Sequence, residues 1–288
     1  MKSLYIFLIT LFSIWVSRCC DARVFTLEMH HRFSEPVKKW WEATGNYFPA
    51  GNWPEKGSIE YYAQLAHHDR IRRGRRMSES DSSVTFSEGN STFRISSLGF
   101  LHYATVTLGT PGMKFLVALD TGSDLFWVPC DCSKCASIEG KHYSSVSFCF
   151  SIENLFMAHP TRCLGTFNHC PYMVSYVSSE TSTSGILVED VLHLKTEDRD
   201  QEFVEAYITF GCGQIQTGSF LDVAAPNGLF GLGLDKISVP SILSSEGYTS
   251  DSFSMCFGQD GTGRISFGDK GRLNRKRPHS ILTHYSKW

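Results

Sequence analysis

Phe115-Leu116-Val117-Ala118-Leu119-Asp120-Thr121-Gly122-Ser123-Asp124-Leu125-Phe126-Trp127-Val128-Pro129 sets an acid at the end of an apolar, strand-like run and follows it at once with threonine and glycine. A carboxylate at the end of a buried strand is costly unless its charge is used or well hydrogen-bonded. Gly122 lets the backbone turn tightly and offer its N–H to the carboxylate, while Thr121 and Ser123 offer hydroxyls to fix it. A capping or turn aspartate would carry the same local signature, so Asp120 needs supporting motifs before it counts as catalytic.

Outward from this stretch, short apolar runs are cut by turns from Gly99 onward. Tyr103 to Leu108, Phe115 to Leu119, Phe126 to Val128, Ile186 to Leu194, Phe203 to Phe210 and Ile265 to Phe267 read as strands, with Thr110-Pro111-Gly112 as one of the turns. Pro240 to Ser245 is the one helical stretch among them. This strand density predicts a mainly β domain over residues 99–269. Residues 270–288 lose the pattern and read as a basic, loop-like tail.

Upstream, Lys2 precedes an apolar run from Leu4 to Val16, then Ser17, Arg18, Cys19 and Cys20; residues 1–20 read as a secretory signal peptide. The run is shorter than the roughly 20 apolar residues a bilayer span needs, and no later segment is long and apolar enough, so no transmembrane helix is expected after the signal. The remainder is expected in the secretory pathway, ending outside the cell or in a vacuole. Residues 21–98 are polar and punctuated. Ile59 to Ile71 has helix-compatible spacing, Arg70, Arg72, Arg73, Arg75 and Arg76 form a basic cluster, and residues 78–91 look like an exposed linker. A basic, partly helical segment before a catalytic domain suits a pro-segment, whose cations can cover an acidic cleft until protonation or cutting releases them. A solvated charged face fits the same residues. Asn90-Ser91-Thr92 is the one glycosylation sequon.

The ten cysteines agree with an oxidising compartment. Cys130, Cys132, Cys135, Cys149, Cys163, Cys170, Cys212 and Cys256 are disulfide candidates; eight cysteines allow about 105 complete pairings, so the connectivity stays open. The C-x-C-x2-C spacing of Cys130, Cys132 and Cys135 could hold zinc, but a secreted chain favours disulfides, and neither metal nor cofactor is expected. A formal net charge of −2 with scattered signs excludes a general nucleic-acid binder. No nucleophile elbow or phosphate-binding glycine loop is present.

Asp120-Thr121-Gly122-Ser123 followed by Trp127 resembles the first active-site loop of the pepsin-like aspartic proteases, and most of all their cysteine-rich, nepenthesin-like plant branch. Leu108-Gly109-Thr110-Pro111 stands before it and Cys130-Asp131-Cys132-Ser133-Lys134-Cys135 after it, as in that branch. Tyr176 ahead of Ser182-Thr183-Ser184-Gly185-Ile186-Leu187 is similar to the flap hairpin. Asn227-Gly228-Leu229-Phe230-Gly231-Leu232-Gly233 is similar to the strand crossing under the active-site loop, and Met29-His30-His31-Arg32-Phe33 resembles the pro-segments.

The resemblance implies a pepsin-like amino-terminal lobe that hydrolyses peptides through two aspartates sharing one proton and activating a water. Asp120 would be one of them, supported by Thr121, Gly122, Ser123 and Trp127, with Tyr176 closing over a peptide or protein substrate and bonding to Trp127. The second aspartate belongs to a homologous lobe with another D-T-G or D-S-G. Asp120-Thr121-Gly122 is the only such tripeptide in these 288 residues, and Gln259-Asp260-Gly261-Thr262-Gly263 has the wrong order. Residues 270–288 stand where that lobe is expected and are too short to replace it, so the chain is expected to be catalytically incomplete unless two copies pair their Asp120 carboxylates. Residues 143–162, with Phe148-Cys149-Phe150 and Asn154-Leu155-Phe156-Met157, also depart from the polar pattern expected there and, like the tail, look like read-through of unspliced sequence. The competing expectation is a pepsin-like binding or inhibitor-like protein without catalysis.

Overall fold

The computed structural model describes residues 23–43, 53–73, 83–85, 92–94, 100–136, 170–176, 181–197, 201–221, 225, 227–258, 260–268 and 281–286. The signal-like start, the sequon at Asn90, and Cys149 and Cys163 with the surrounding 143–162 stretch lie outside these residues.

In chain order the elements are β1 (Phe25–His31), α1 (Glu35–Ala43), α2 (Ile59–Arg73), β2 (Ser83–Thr85), β3 (Thr92–Arg94), β4 (His102–Leu108), β5 (Met113–Asp120), β6 (Trp127–Lys134) and β7 (Cys170–Ser175). There follow β8 (Ser182–Lys195), β9 (Phe203–Gln216), β10 (Leu229–Gly231), α3 (Val239–Ser245), β11 (Ser252–Phe257), β12 (Thr262–Phe267) and β13 (Ile281–Ser286). The protein is mainly β, as its strand density implied.

Eleven strands form one sheet in the order β13-β11-β12-β1-β4-β5-β10-β6-β9-β8-β7. A further pairing of Thr107 with His193 and Leu108 with Leu192 joins β4 to β8, so β4, β5, β10, β6, β9 and β8 close into a ring. Closure removes the free edges that such strands would otherwise expose. Inside sit Val106, Leu108, Val117, Phe126, Leu192, Phe210 and Phe230, all with 3% or less of their surface exposed, which is the alternate-residue burial expected of strands with one face inward.

β1 lies in the middle of the sheet, antiparallel to both β12 and β4. Its Phe25, Leu27 and Met29 are buried in the core, while the intervening Thr26 and Glu28 are not. That strict alternation is a strand signal. The helix expected at Ile59 to Ile71 is α2, and α3 covers the short helix expected from Pro240. α1 docks Val37 and Trp41 into a second apolar cluster with Tyr103, Leu125 and Trp127.

Two expectations need correction. The tail after residue 270 is not loop throughout: β13 pairs antiparallel with β11 from Ser252–Ser286 to Phe257–Ile281. The outer edge of β11 carries backbone groups that need partners, and β13 supplies them. Part of the presumed linker is likewise regular, for β2 and β3 pair as a two-stranded unit.

Candidate active site

β5 carries the chain through five buried residues, Phe115 to Leu119, and delivers Asp120 half-buried at its end; Thr121 and Gly122 beyond it are exposed. The Gly122 N–H donates to Asp120 Oδ1 at 2.9 Å and the Ser123 hydroxyl donates to Oδ2 at 2.7 Å. Each carboxylate oxygen thus has its own donor, which fixes the plane of the group. The Thr121 hydroxyl makes no hydrogen bond among the described residues, so of the two hydroxyls considered Ser123 alone holds the carboxylate.

β10 supports the loop from beneath. It runs parallel to β5 with Gly231 opposite Asp120, and Leu232 N–H donates to the Asp120 carbonyl at 2.8 Å. Gly233 N–H donates to the Ser123 carbonyl at 2.9 Å. A Cβ on Gly231 would run into the backbone of Asp124 and Leu125, so the close approach requires glycine.

Two side chains that sequence reasoning did not single out lock this crossing. Asp124 Oδ1 accepts the Asp235 N–H at 2.8 Å, and Asn227 Oδ1 accepts the Leu116 N–H at 3.0 Å. Both residues lie inside the quoted motifs, but their partners are backbone amides 111 residues away.

Trp127 is fully buried and its Nε1–H donates to Tyr176 Oη at 2.9 Å. The Tyr176 hydroxyl also bonds the Ser123 side chain. The direction of the whole chain follows from its ends. An indole N–H can only donate, and Ser123 gives its proton to Asp120 Oδ2, so in the bond between Tyr176 and Ser123 it is Tyr176 that donates. The order is Trp127 to Tyr176 to Ser123 to Asp120.

Burial pushes the Tyr176 phenol well above its ordinary value, and the nearby Asp120 charge adds to this against the two hydrogen bonds. It therefore stays neutral and keeps the proton that the chain needs. Tyr176 N–H bonds the Thr181 carbonyl at 2.8 Å, directly after the β7–β8 pairing, so the residue is set at the turn end of the hairpin. Below it Tyr172 shares a hydrogen bond with Thr183 at 3.1 Å and lays its ring against Gly211.

The cysteines sit beside this site. Cys130 at the middle of β6 pairs with Cys212 on β9, and Cys132 with Cys135; Cys170 is also in a disulfide. The sulfurs of Cys130, Cys132 and Cys135 are therefore not thiolate ligands. Asp131 gathers with Cys130 and Cys212, but both sulfurs of that group are spent in one bond. Cys256 corrects the expectation that it pairs: it is a free thiol on β11 whose cross-strand partners are Arg264 and Leu282. No helix among the described residues is long and apolar enough to cross a membrane.

A family profile described as Xylanase inhibitor N-terminal matches residues 102–269. The chain is 49% identical to "Aspartyl protease family protein 1" of Arabidopsis thaliana over 94% of its own length and 56% of that protein. It is 39% identical to "Aspartic proteinase-like protein 1" of the same plant, over 87% of its own length and 51% of the relative. It thus spans about half the length of these curated relatives. Among solved structures it is similar to Basic 7S globulin from soybean, at 26% identity and a TM-score of 0.45, covering 58% of this chain and 46% of that one. The matched profile takes in the Asp120 loop, the flap hairpin and the β10 crossing together, and the chain belongs to the plant pepsin-like aspartic protease family.

Proposed function

We propose that this chain supplies one half of an aspartic endopeptidase, with Asp120 as one of two carboxylates that hydrolyse a peptide bond. The observation that carries the reading is the ordered donor chain ending on Asp120, with Gly122 N–H on its other oxygen. Two close carboxylates cannot both ionise cheaply, so they share a proton. The ionised member takes a proton from the water that attacks the peptide carbonyl while the protonated member gives its own to the carbonyl oxygen; on collapse the proton taken from the water goes to the leaving amine and a hydroxyl of the diol returns its proton, so the pair again shares one. Gly122 and Ser123 keep Asp120 in place for this, while Tyr176 excludes solvent from the substrate. The 288 residues hold one such loop, so the second carboxylate comes from another lobe or another copy. Cleavage between bulky apolar residues, synthesis as a zymogen behind a signal peptide, and a site of action outside the cell or in a vacuole belong to the same proposal. The disulfides support the compartment.

Acid proteolysis of a peptide with paired bulky apolar residues, followed by mass spectrometry, tests the reading. Asp120→Asn is expected to abolish cleavage, and an Asp120→Asn protein that still cuts at the parent rate rejects it. The matched profile's description favours a second reading, a protein that binds a partner enzyme without cutting it. Calorimetric binding to a xylanase that survives Asp120→Asn, with no cleavage by either protein, would select that reading instead.

A further inference from the structure

We infer that Tyr172 is a positioning residue for the donor chain that ends on Asp120: seated on strand glycines at the base of the β7–β8 hairpin, it sets the place from which Tyr176 meets Trp127 and Ser123. The value of that placement for catalysis rests on the protease reading, whereas the placement itself is a property of the hairpin.

The register builds the seat. Tyr172 stands opposite Gly185 on β8, Gly185 opposite Gly213 on β9, and Gly213 opposite Pro129 on β6, so one row across four strands carries two glycines beside the tyrosine. Gly211 follows two residues before Gly213 on β9, opposite Trp127. A Cβ on Gly211 would come within 2.7 to 2.8 Å of Cζ, Cε1 and Oη of Tyr172, so the ring rests directly on the strand backbone. A Cβ on Gly213 would stand 3.2 Å from Tyr172 Oη and 3.2 Å from Trp127 Cε3, so the tyrosine and the indole meet over this residue. Glycine inside a strand weakens it and marks a close approach, and an aromatic ring laid across the bare row restores the missing packing.

The same row is where the hairpin changes direction. The β8–β9 register shifts between Ser184 and Gly185, and such a bulge bends the strands locally and re-aims the side chains beyond it. A Cβ on Gly185 would collide with the Cys212 carbonyl, and Cys212 is bonded to Cys130 on β6, so the bend is pressed against a cross-linked support. Tyr172 lies on the base side of the bend and Thr183 on the turn side. Their hydrogen bond at 3.1 Å therefore spans it, and Thr183 is fully buried.

Tyr172, Val174 and Tyr176 are alternate residues, and all three pack on the apolar cluster that contains Trp127 and Phe220. Phe220 lies 4.9 Å from the Trp127 ring and 5.0 Å from the Tyr176 ring. The indole is thus bracketed by Phe220 and by Tyr172 over Gly213, and its Nε1–H reaches Tyr176 Oη at 2.9 Å. A smaller side chain at position 172 would uncover Gly211 and Gly213, let the indole lean into the space and shift the hairpin that carries Tyr176. Both ends of the Trp127–Tyr176 bond would move, and with them the donor that Tyr176 offers to Ser123. Tyr172 touches neither Asp120 nor the place of the substrate, so it acts through these two residues.

The test reads the Trp127 indole and no proteolysis, so its failure and the failure of the protease reading are separate events. In the nitrogen-15-labelled whole chain, hydrogen exchange of the Trp127 Nε1–H is followed by nuclear magnetic resonance, the signal being assigned among the six tryptophans by its loss in Trp127→Phe. Tyr172→Leu is expected to speed this exchange by about tenfold or more, toward the rate in Tyr176→Phe, which deletes the acceptor hydroxyl, while the β8–β9 amides keep their protection. Tyr172→Phe keeps the ring and loses only the Thr183 bond, and its rate is expected to stay within about threefold of the parent. Should Tyr172→Leu not fold, Gly211→Ala carries the same expectation, because it drives a Cβ into the ring. Unchanged exchange in the variant that folds overturns the inference. So does an acceleration shared equally by the β8–β9 amides, which would be plain loss of stability, or a Tyr172→Phe protein as fast as Tyr172→Leu.

Discussion

Ser123 has one proton to give and two neighbours that could use it, Asp120 and Tyr176. Because the carboxylate takes it, Tyr176 depends on Ser123 as an acceptor, and the two side chains should be energetically coupled. In a double-mutant cycle of Ser123→Ala and Tyr176→Phe read by urea unfolding, we expect a coupling of about 0.5–1.5 kcal/mol. Additive effects would mean that the bond contributes nothing. The neutral phenols give a second expectation. Burial raises Tyr172 and Tyr176 above the ordinary value of about 10, so the folded state holds these protons more tightly than the unfolded one. Stability is intact below about pH 10 and falls as pH rises past it. Tyr103 is buried and raised in the same way, so absorbance of phenolate should show at least three of the eleven tyrosines ionising only together with loss of the near-ultraviolet circular dichroism. Their ionisation in the native protein, ahead of unfolding, would contradict their burial. Asp120, Ser123 and Trp127 could be singled out because they stand in one short contiguous motif, and Tyr176 because it precedes the Ser182–Leu187 stretch. Asp124 and Asn227 were not read as locks, because a side chain that bonds a distant backbone amide leaves no spacing to detect.

Among the elements, β6 and β9 are joined covalently, and the two disulfides near them differ sharply in what they constrain. Cys130–Cys212 closes a separation of 82 residues and Cys132–Cys135 one of 3. By loop-closure entropy the first restricts the unfolded chain by about 4–5 kcal/mol and the second by about 1.5. Replacing Cys130 and Cys212 together by alanine should lower the stability by about 2–5 kcal/mol, and the same change at Cys132 and Cys135 by clearly less. Equal losses would show that local contacts rather than chain entropy set the effect. The strand-rich lobe was legible from its turns and apolar runs, yet β1, β7 and β11 were not marked as strands. In β1 the alternation of Phe25, Leu27 and Met29 was there to be read, and Phe253, Met255 and Phe257 repeat it in β11. What no local pattern could give was the placement of β1 between β4 and β12, since its partners lie in strands far along the chain. The free Cys256 has the same origin: which residue faces it depends on register, and register is a property of the folded sheet.

At the scale of the whole molecule, the chemistry proposed for Asp120 needs a second carboxylate within reach of the same water, and these residues carry one D-T-G loop. Asp124, the other acid of that loop, has turned one oxygen to the Asp235 N–H and serves as an anchor. Expressed by themselves, the 288 residues can therefore assemble a dyad only from two copies. Two consequences follow from mass action. Below the dimer dissociation constant, cleavage should rise with the square of the chain concentration, so that specific activity vanishes on dilution. When wild-type and Asp120→Asn chains are mixed in equal amounts and pair at random, only the dimers with two intact aspartates act, and activity falls to about a quarter of the undiluted value, where independent subunits would leave about a half. Sedimentation of the Asp120→Asn protein must show the same dimer, since the carboxamide keeps the size of the side chain. Specific activity that is constant on dilution, or a linear loss on mixing, would place the partner acid elsewhere in the same chain and reject the pairing of two Asp120 carboxylates.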